Sequence, residues 1–375
     1  MFRDIAVLLT AFSGAVAPAF AGAVPPAESE TSVASATASS VSAAAAPSEG
    51  DGQAAVRVVT SLTTYAAIAR EIAGDRAEVS AIADGAENPH FVTPRPSLLL
   101  KLRRADLFVV TGLDLELWVP TLLDKANNQK IRPGNPGHVT AYRGIKLLDI
   151  PESVSRSQGD IHLFGNPHIW TAPANAVQIG QNILAGLKRV SPENASYFER
   201  RFAAWKERIM RAFAGDELVE LLGVDAVFNL AREYRLLEFV STQSYQGRPL
   251  SQRLGGWLKQ AEAFRGERMV CYHKEWDYLN RAFDVSCVEY VEPKPGIPPT
   301  PQHVARVIRL MQDEGIRVLF STNYYDHNQV QSVAARTGAT PVIVPSNTDG
   351  APGTKTYTDL VGLWIRELAA AYATG

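Results

Sequence analysis

Cysteine is scarce in this chain: Cys271 and Cys287 are the only two among 375 residues. Two isolated thiols lack the paired close spacing of zinc knuckles, so a cysteine-built metal site is excluded. Charge of one sign is scarce as well, with 37 Lys and Arg against 39 Asp and Glu and a formal net charge of -2. That balance excludes the basic stripe of a nucleic-acid binder, and no single-sign run marks a membrane-surface patch. Long apolar runs are missing too, since a membrane span needs about 20 consecutive apolar residues. Neither a His-Glu-x-x-His helix nor a Gly-x-Ser-x-Gly elbow occurs, which removes two familiar hydrolase arrangements. No short tandem repeat suggests a solenoid.

The N-terminus is the first positive signal. MFRDIAVLLTAFSGAVAPAFAGA carries Arg3, an apolar run from Ile5 and a closing Ala19-Phe20-Ala21. This is the form of a cleavable export signal, residues 1–21, cut after Ala21. No cysteine follows the cut, so a lipid anchor there is not expected, and the mature protein is expected to be soluble and exported. Residues 22–53 are rich in Ala, Ser, Pro and Glu with almost no large apolar side chains. Such a composition cannot offset the entropy of ordering and reads as a flexible tether. Export permits disulfides. For Cys271 and Cys287, in neighbouring expected strands, a bridge and two small buried thiols both stand open.

A chain of this length is expected to form two domains. From Val56, apolar strands alternate with helices: VRVVTSL, TTYAAIAREIAGD, AEVSAIA, RPSLLLKLRRA, DLFVVTG, LELWVPTLLDKA, then one or two short strands in GHVTAYRGIKLLDI. The rhythm returns from ERMVCYH to TYTDLVGLWIRELAAAYA. Nearly all-apolar strands between helices indicate parallel sheets covered on both faces. Between the halves, SPENASYFERRFAAWKERIMRAFA has a Ser-Pro start and an amphipathic pattern over Tyr197, Phe198, Phe202, Trp205, Ile209 and Phe213. The expected architecture is an α/β lobe over 54–190, a linking helix over 191–215, a helical insertion over 216–265 and a second α/β lobe over 266–375.

Three of the seven histidines lie where parallel sheets bind ligands, in loops or at strand ends: His90, His168 and His273. If the lobes face each other, His90 and His168 come from one wall and His273 from the other. Three neutral imidazoles suit zinc, which takes nitrogen ligands at about 2.0–2.1 Å in tetrahedral sets. Asn-Pro precedes both His90 and His168 and restricts the backbone on each approach.

GAENPHFVTPRPSLLLKLRRADLFVVTGLDLELW, GNPHIWTAPANA, SYFERRFAAW and VCYHKEWDYLNRAF together resemble the substrate-binding proteins of bacterial zinc and manganese ABC importers. The resemblance runs from about Val56 to the C-terminus. It implies two α/β lobes linked by one long helix, a metal in the cleft, and ligands at His90, His168 and His273. It also implies a monomeric periplasmic receptor, not an enzyme, that delivers a divalent ion to a membrane ABC permease. Histidine rather than carboxylate at position 273 tilts the cargo toward zinc, with manganese the alternative.

Three departures accompany the resemblance. Where many relatives have a fourth, Asp ligand, this chain has Val344 or Pro345; Asp349 in SNTDGAPG is the expected substitute, although Asp-Gly is also a plain turn. Glu292, Asp326 or a water are other occupants of that position. A His-rich loop is absent; His162 is read as an exposed loop residue beside the site, with an auxiliary ligand or an outer group behind the ligands as the alternatives. His138 is the other histidine of that region; His303 and His327 are read as surface residues. The 216–265 segment looks like an addition to the common core. A zinc hydrolase using the same three histidines is the competing reading. Glu275 is the conceivable base, expected on the solvent side of a helix start. An extracellular adhesin is a third, weaker reading.

Overall fold

The computed structural model describes residues 55–93, 95–151, 162–292 and 296–373. The export signal and the tether lie outside the described residues. No described helix is long and apolar enough to cross a membrane.

The β-branched run Val56–Thr60 forms strand β1, buried except at Arg57. Helix α1 (Thr63–Ala73) returns along the sheet with Tyr65, Ile68 and Ile72 fully buried, the helical spacing expected of them. Next come β2 (Ala77–Ala81), α2 (Pro96–Arg104), β3 (Leu107–Val110), α3 (Val119–Ala126) and β4 (His138–Thr140). The four strands make one parallel sheet in the order β2-β1-β3-β4. Helix α3 starts at Val119, later than its apolar pattern suggests, with Pro120 in its first turn where the missing N–H costs no helical bond. Of the one or two short strands expected in GHVTAYRGIKLLDI, one forms, the three-residue edge strand β4.

Two long helices follow, α4 (Pro173–Val190) and α5 (Ala195–Ala214). They pack closely: a Cβ at Gly180 would stand 2.6 Å from the Trp205 ring. Helix α5 buries Phe198, Trp205, Ile209, Met210 and Phe213, and touches α1 at one end of its reach and α9 (Gly256–Gln260) at the other. It is the linking helix. Between α5 and α9 lie α6 (Asp216–Leu222), α7 (Val224–Arg232), α8 (Leu236–Thr242) and a two-stranded hairpin, β5 (Ser244–Tyr245) and β6 (Arg248–Pro249).

The second lobe comprises β7 (Arg268–Cys271), α10 (Asp277–Phe283), β8 (Ser286–Tyr290), α11 (Pro301–Asp313), β9 (Val318–Thr322), α12 (His327–Thr337), β10 (Thr340–Val344) and α13 (Tyr357–Ala373). Its sheet is parallel in the order β10-β9-β7-β8. Cys271 on β7 and Cys287 on β8 form a disulfide, with Cα atoms 5.5 Å apart. The choice left open between a bridge and two thiols thus resolves to the bridge.

Side chains from one lobe hold loops of the other. Thr63 Oγ1 donates to Thr348 O at 2.6 Å, and Thr64 Oγ1 to Asn347 Oδ1 at 2.8 Å. Trp170 Nε1 donates to Ser346 O at 2.7 Å, while Tyr357 donates to Trp170 O at 2.8 Å. These bonds are buried, where polar groups left unpaired would be costly.

Candidate metal centre

The two Asn-Pro-His tripeptides fold alike, and for the same reason. In each, the asparagine side chain accepts from the histidine backbone N–H two residues on: Asn88 Oδ1 from His90 N and Asn166 Oδ1 from His168 N, both at 3.0 Å. This Asx turn, with proline fixing φ between the two, presents the imidazole at a set angle. Trp118 Nε1 donates to Pro89 O at 2.9 Å and holds the first turn in place. Trp118 is itself anchored nearby, because Glu116 accepts from Thr111 N at 2.8 Å and Ser61 Oγ at 2.6 Å, tying together the ends of β1 and β3. His273 stands two residues beyond β7 and is 2% exposed.

These three histidines meet, and His162 meets them. One potential ligand nitrogen from each of His90, His162, His168 and His273 lies within 4.8 Å of all the others. His90 Nε2 and His168 Nε2 are 3.1 Å apart. The ring centroids of His90 and His162 stack at 5.1 Å, and those of His168 and His273 lie edge-on at 5.6 Å. Both ring nitrogens of His273 and Nε2 of His162 are buried without a hydrogen-bond partner among the described residues. Buried polar atoms are ordinarily partnered, so orphan ring nitrogens on His162 and His273, within a group whose ligand atoms lie within 4.8 Å of one another, mark a place for a ligand.

Electrostatics agree with that geometry. Burial drives all four imidazoles toward the neutral form, in which a nitrogen lone pair is free. His273 is brought down to about 3 by burial and then by its neighbour His162, and His162 to about 4 by burial. His90 and His168 are also held well below the usual histidine range, by burial first and by the surrounding imidazoles second. Asn166 stands against His168. Its Nδ2 faces Lys274 O and Asp277 Oδ2, both at 3.1 Å, so its Oδ1 faces His168 Nδ1 at 2.9 Å and accepts from it. His168 Nε2 is left as the lone-pair nitrogen in the cluster. The nearest carboxylate to His273, Glu292, stands with Oε1 at 3.7 Å from Nδ1, beyond hydrogen-bond range.

Several expectations are corrected. His162 is half-buried rather than exposed and is a member of the cluster, in line with the auxiliary-ligand alternative. Asp349 is not in the cluster: it is exposed and sits in a left-handed turn, φ 59°, with its N–H donated to Thr354 O at 2.8 Å. That turn packs closely against the first lobe, since a Cβ at Gly85 would stand 2.4 Å from the Asp349 carbonyl carbon. Asp326 caps α12, accepting from Asn328 N at 2.9 Å. His303 is buried rather than superficial, with Nε2 at 2.8 Å from Tyr290 O. Glu275 is also buried, not solvent-facing; it accepts from the Tyr324 hydroxyl at 2.6 Å and burial pushes it up to about 8. His138 and His327 lie outside the cluster, each bonded to a backbone carbonyl at 2.9 Å.

Comparison with known proteins matches the family described as zinc-uptake complex component A, periplasmic, over residues 58–213 and 251–371. The gap between those segments, residues 214–250, overlaps the first part of the stretch expected to be an insertion, whose remainder, 251–265, is matched. The zinc-binding lipoprotein AdcA of Streptococcus pneumoniae is 27% identical over 166 residues, covering 43% of this chain and 32% of AdcA. The chain thus spans about a third of AdcA's length. The iron-binding protein YfeA of Yersinia pestis is 26% identical over 323 residues, 84% of this chain and 86% of YfeA. A crystal structure of ZnuA shares the fold, with a TM-score of 0.60 and 19% identity over 85% of this chain and 100% of that one. With most of its length matched and its two-lobe fold shared, the chain belongs to the zinc-uptake complex component A family.

Proposed function

We propose that this protein is an exported receptor that captures one divalent transition-metal ion, zinc foremost, on His90, His162, His168 and His273. It then delivers the ion to a membrane ABC permease and acts as a periplasmic monomer rather than as an enzyme. The observation that carries the reading is the convergence of four neutral imidazoles within 4.8 Å. Four nitrogens about 2.0–2.1 Å from a tetrahedral zinc stand about 3.3 Å apart, so a small contraction of this cluster completes the shell. The 3.1 Å between His90 Nε2 and His168 Nε2 is close to that spacing already.

The relatives' names do not choose the ion, since AdcA is called zinc-binding and YfeA iron-binding. Donor chemistry favours zinc. An all-nitrogen set suits zinc and its neighbours, whereas manganese is better served by carboxylate oxygens. No Asp or Glu joins the group among the described residues. For the hydrolase alternative, Glu275 is not a member of the group, and its Oε2 accepts from Tyr324.

Titration of the metal-stripped protein tests this. Zinc is expected to bind one-to-one, manganese at least about 100-fold more weakly, and His90→Ala or His273→Ala is expected to abolish tight binding. Zinc affinity unchanged in both variants, or metal-dependent hydrolysis of ester or peptide substrates, would overturn the reading.

A further inference from the structure

The two Asn-Pro-His turns are alike in their backbone and unlike in what their asparagines touch. Asn88 makes the turn bond to His90 N. Asn166, 3% exposed, uses its whole amide. On one side Oδ1 accepts from His168 N at 3.0 Å and His168 Nδ1 at 2.9 Å. On the other, Nδ2 faces Lys274 O at 3.1 Å, Asp277 Oδ2 at 3.1 Å and Asp149 Oδ2 at 3.3 Å. Its backbone carbonyl also accepts from the Tyr278 hydroxyl at 2.7 Å.

All of the partners on the second side except Asp149 belong to the other lobe. Lys274 is the residue after His273, and Asp277 and Tyr278 open α10. Asp149 reaches the same point from the loop after β4 and is held there by Lys274 Nζ at 3.0 Å. Asp277 is steadied by the Tyr290 hydroxyl at 3.1 Å. The amide can satisfy this surround in one orientation only. Turned over, it would aim its oxygen at two carboxylates and a carbonyl, and its NH2 at two N–H groups.

We propose that Asn166 is a positioning residue that locks His168 as the Nδ1–H tautomer and ties it to the segment following His273, so that one amide holds ligands from opposite lobes for one ion. The proposal rests on the receptor reading for its effect on metal affinity; its effect on the tautomer stands without it. Outer-shell partners of this kind change metal affinity by about 10–100-fold when removed.

Two measurements on the full chain test it, using zinc as the probe. In 15N-histidine spectra of the metal-free protein, His168 is expected to be a single Nδ1–H tautomer, and Asn166→Ala is expected to release it to a mixture. In zinc competition titrations, Asn166→Ala is expected to lose about 10–100-fold in affinity while its melting temperature reports that it is folded. Asn166→Asp keeps an acceptor for His168 Nδ1 but cannot donate toward Lys274 O, Asp149 and Asp277, so it is expected to lose affinity as the alanine variant does. The double variant Asn166→Asp/Asp277→Asn returns a donor to the other side and keeps the carboxylate count at two. It is expected to recover most of the loss. Wild-type tautomer and affinity in Asn166→Ala would overturn the proposal. So would an Asn166→Asp variant that binds as the parent does, because the donor side would then be idle. Should Asn166→Ala not fold, the aspartate variant and its double decide between the same outcomes. If the parent protein binds no zinc, the receptor reading fails while the tautomer spectra still judge Asn166.

Discussion

Burial sets two properties of each imidazole in the cluster at once: the ring stays neutral, and its lone pair stays unhydrated. The first has a consequence for stability. In the unfolded chain these rings take up protons near pH 6.5, whereas the folded His162 resists until about 4 and His273 until about 3. Between those values the unfolded state binds more protons, so stability is complete above about pH 6.5 and drains away as the pH falls through that window. The melting temperature of the metal-free protein is therefore expected to fall steadily from pH 6.5 to 4, and His162→Ala to reduce that slope by about one proton's worth. A melting temperature independent of pH over this range would contradict the burial of the cluster. His90, His168 and His273 were legible in the sequence because each follows a strand or turn that parallel sheets use for ligands. His162 was not, because its place depends on how the chain folds back after the turn at Gly165, and no periodicity records that. The role of Asn166 was half legible: the Asn-Pro-His repeat marks the turn, but two of the amide's second set of partners, Lys274 and Asp277, are more than a hundred positions away.

Strand ends and the turns after them carry the site at the scale of elements. Glu116 illustrates how they are fastened. It is buried in a loop, and one carboxylate oxygen serves Thr111 N and Ser61 Oγ, so that β1 and β3 deliver their ends to one point. Two residues on, Trp118 bonds to Pro89 O beneath His90. Glu116→Ala is expected to destabilise the fold by about 1–3 kcal/mol, because a buried backbone N–H loses its acceptor. It is also expected to weaken zinc binding through the His90 turn, with Glu116→Gln intermediate in both. Urea unfolding measures the first effect and zinc competition the second; an alanine variant as stable as the parent would remove Glu116 from this role. Most elements were readable from apolar spacing, as with Tyr65, Ile68 and Ile72 in α1 or Phe198, Trp205 and Ile209 in α5. The boundaries that escaped have local causes. Helix α3 begins at Val119 with Pro120 in its first turn, since proline fits the start of a helix better than its interior.

For the whole molecule, the central feature is that the cluster draws His90, His162 and His168 from the first half of the chain and His273 from the second, with α5 packed between elements of both. Buried bonds such as Trp170 to Ser346 hold the halves together around it. The two-lobe plan was legible because the strand–helix rhythm occurs twice. The fourth member of the site was not, because it depends on which loop reaches the cleft: the loop bearing Asp349 is packed against Gly85 and turns its carboxylate outward, while the loop bearing His162 turns inward. X-ray absorption at the zinc edge of the loaded protein tests that most directly. Four nitrogen neighbours at about 2.0–2.1 Å, with the outer-shell scattering of imidazole rings, are the expected result. A shell dominated by oxygen, or one that is unchanged in His162→Ala, would contradict a four-imidazole site.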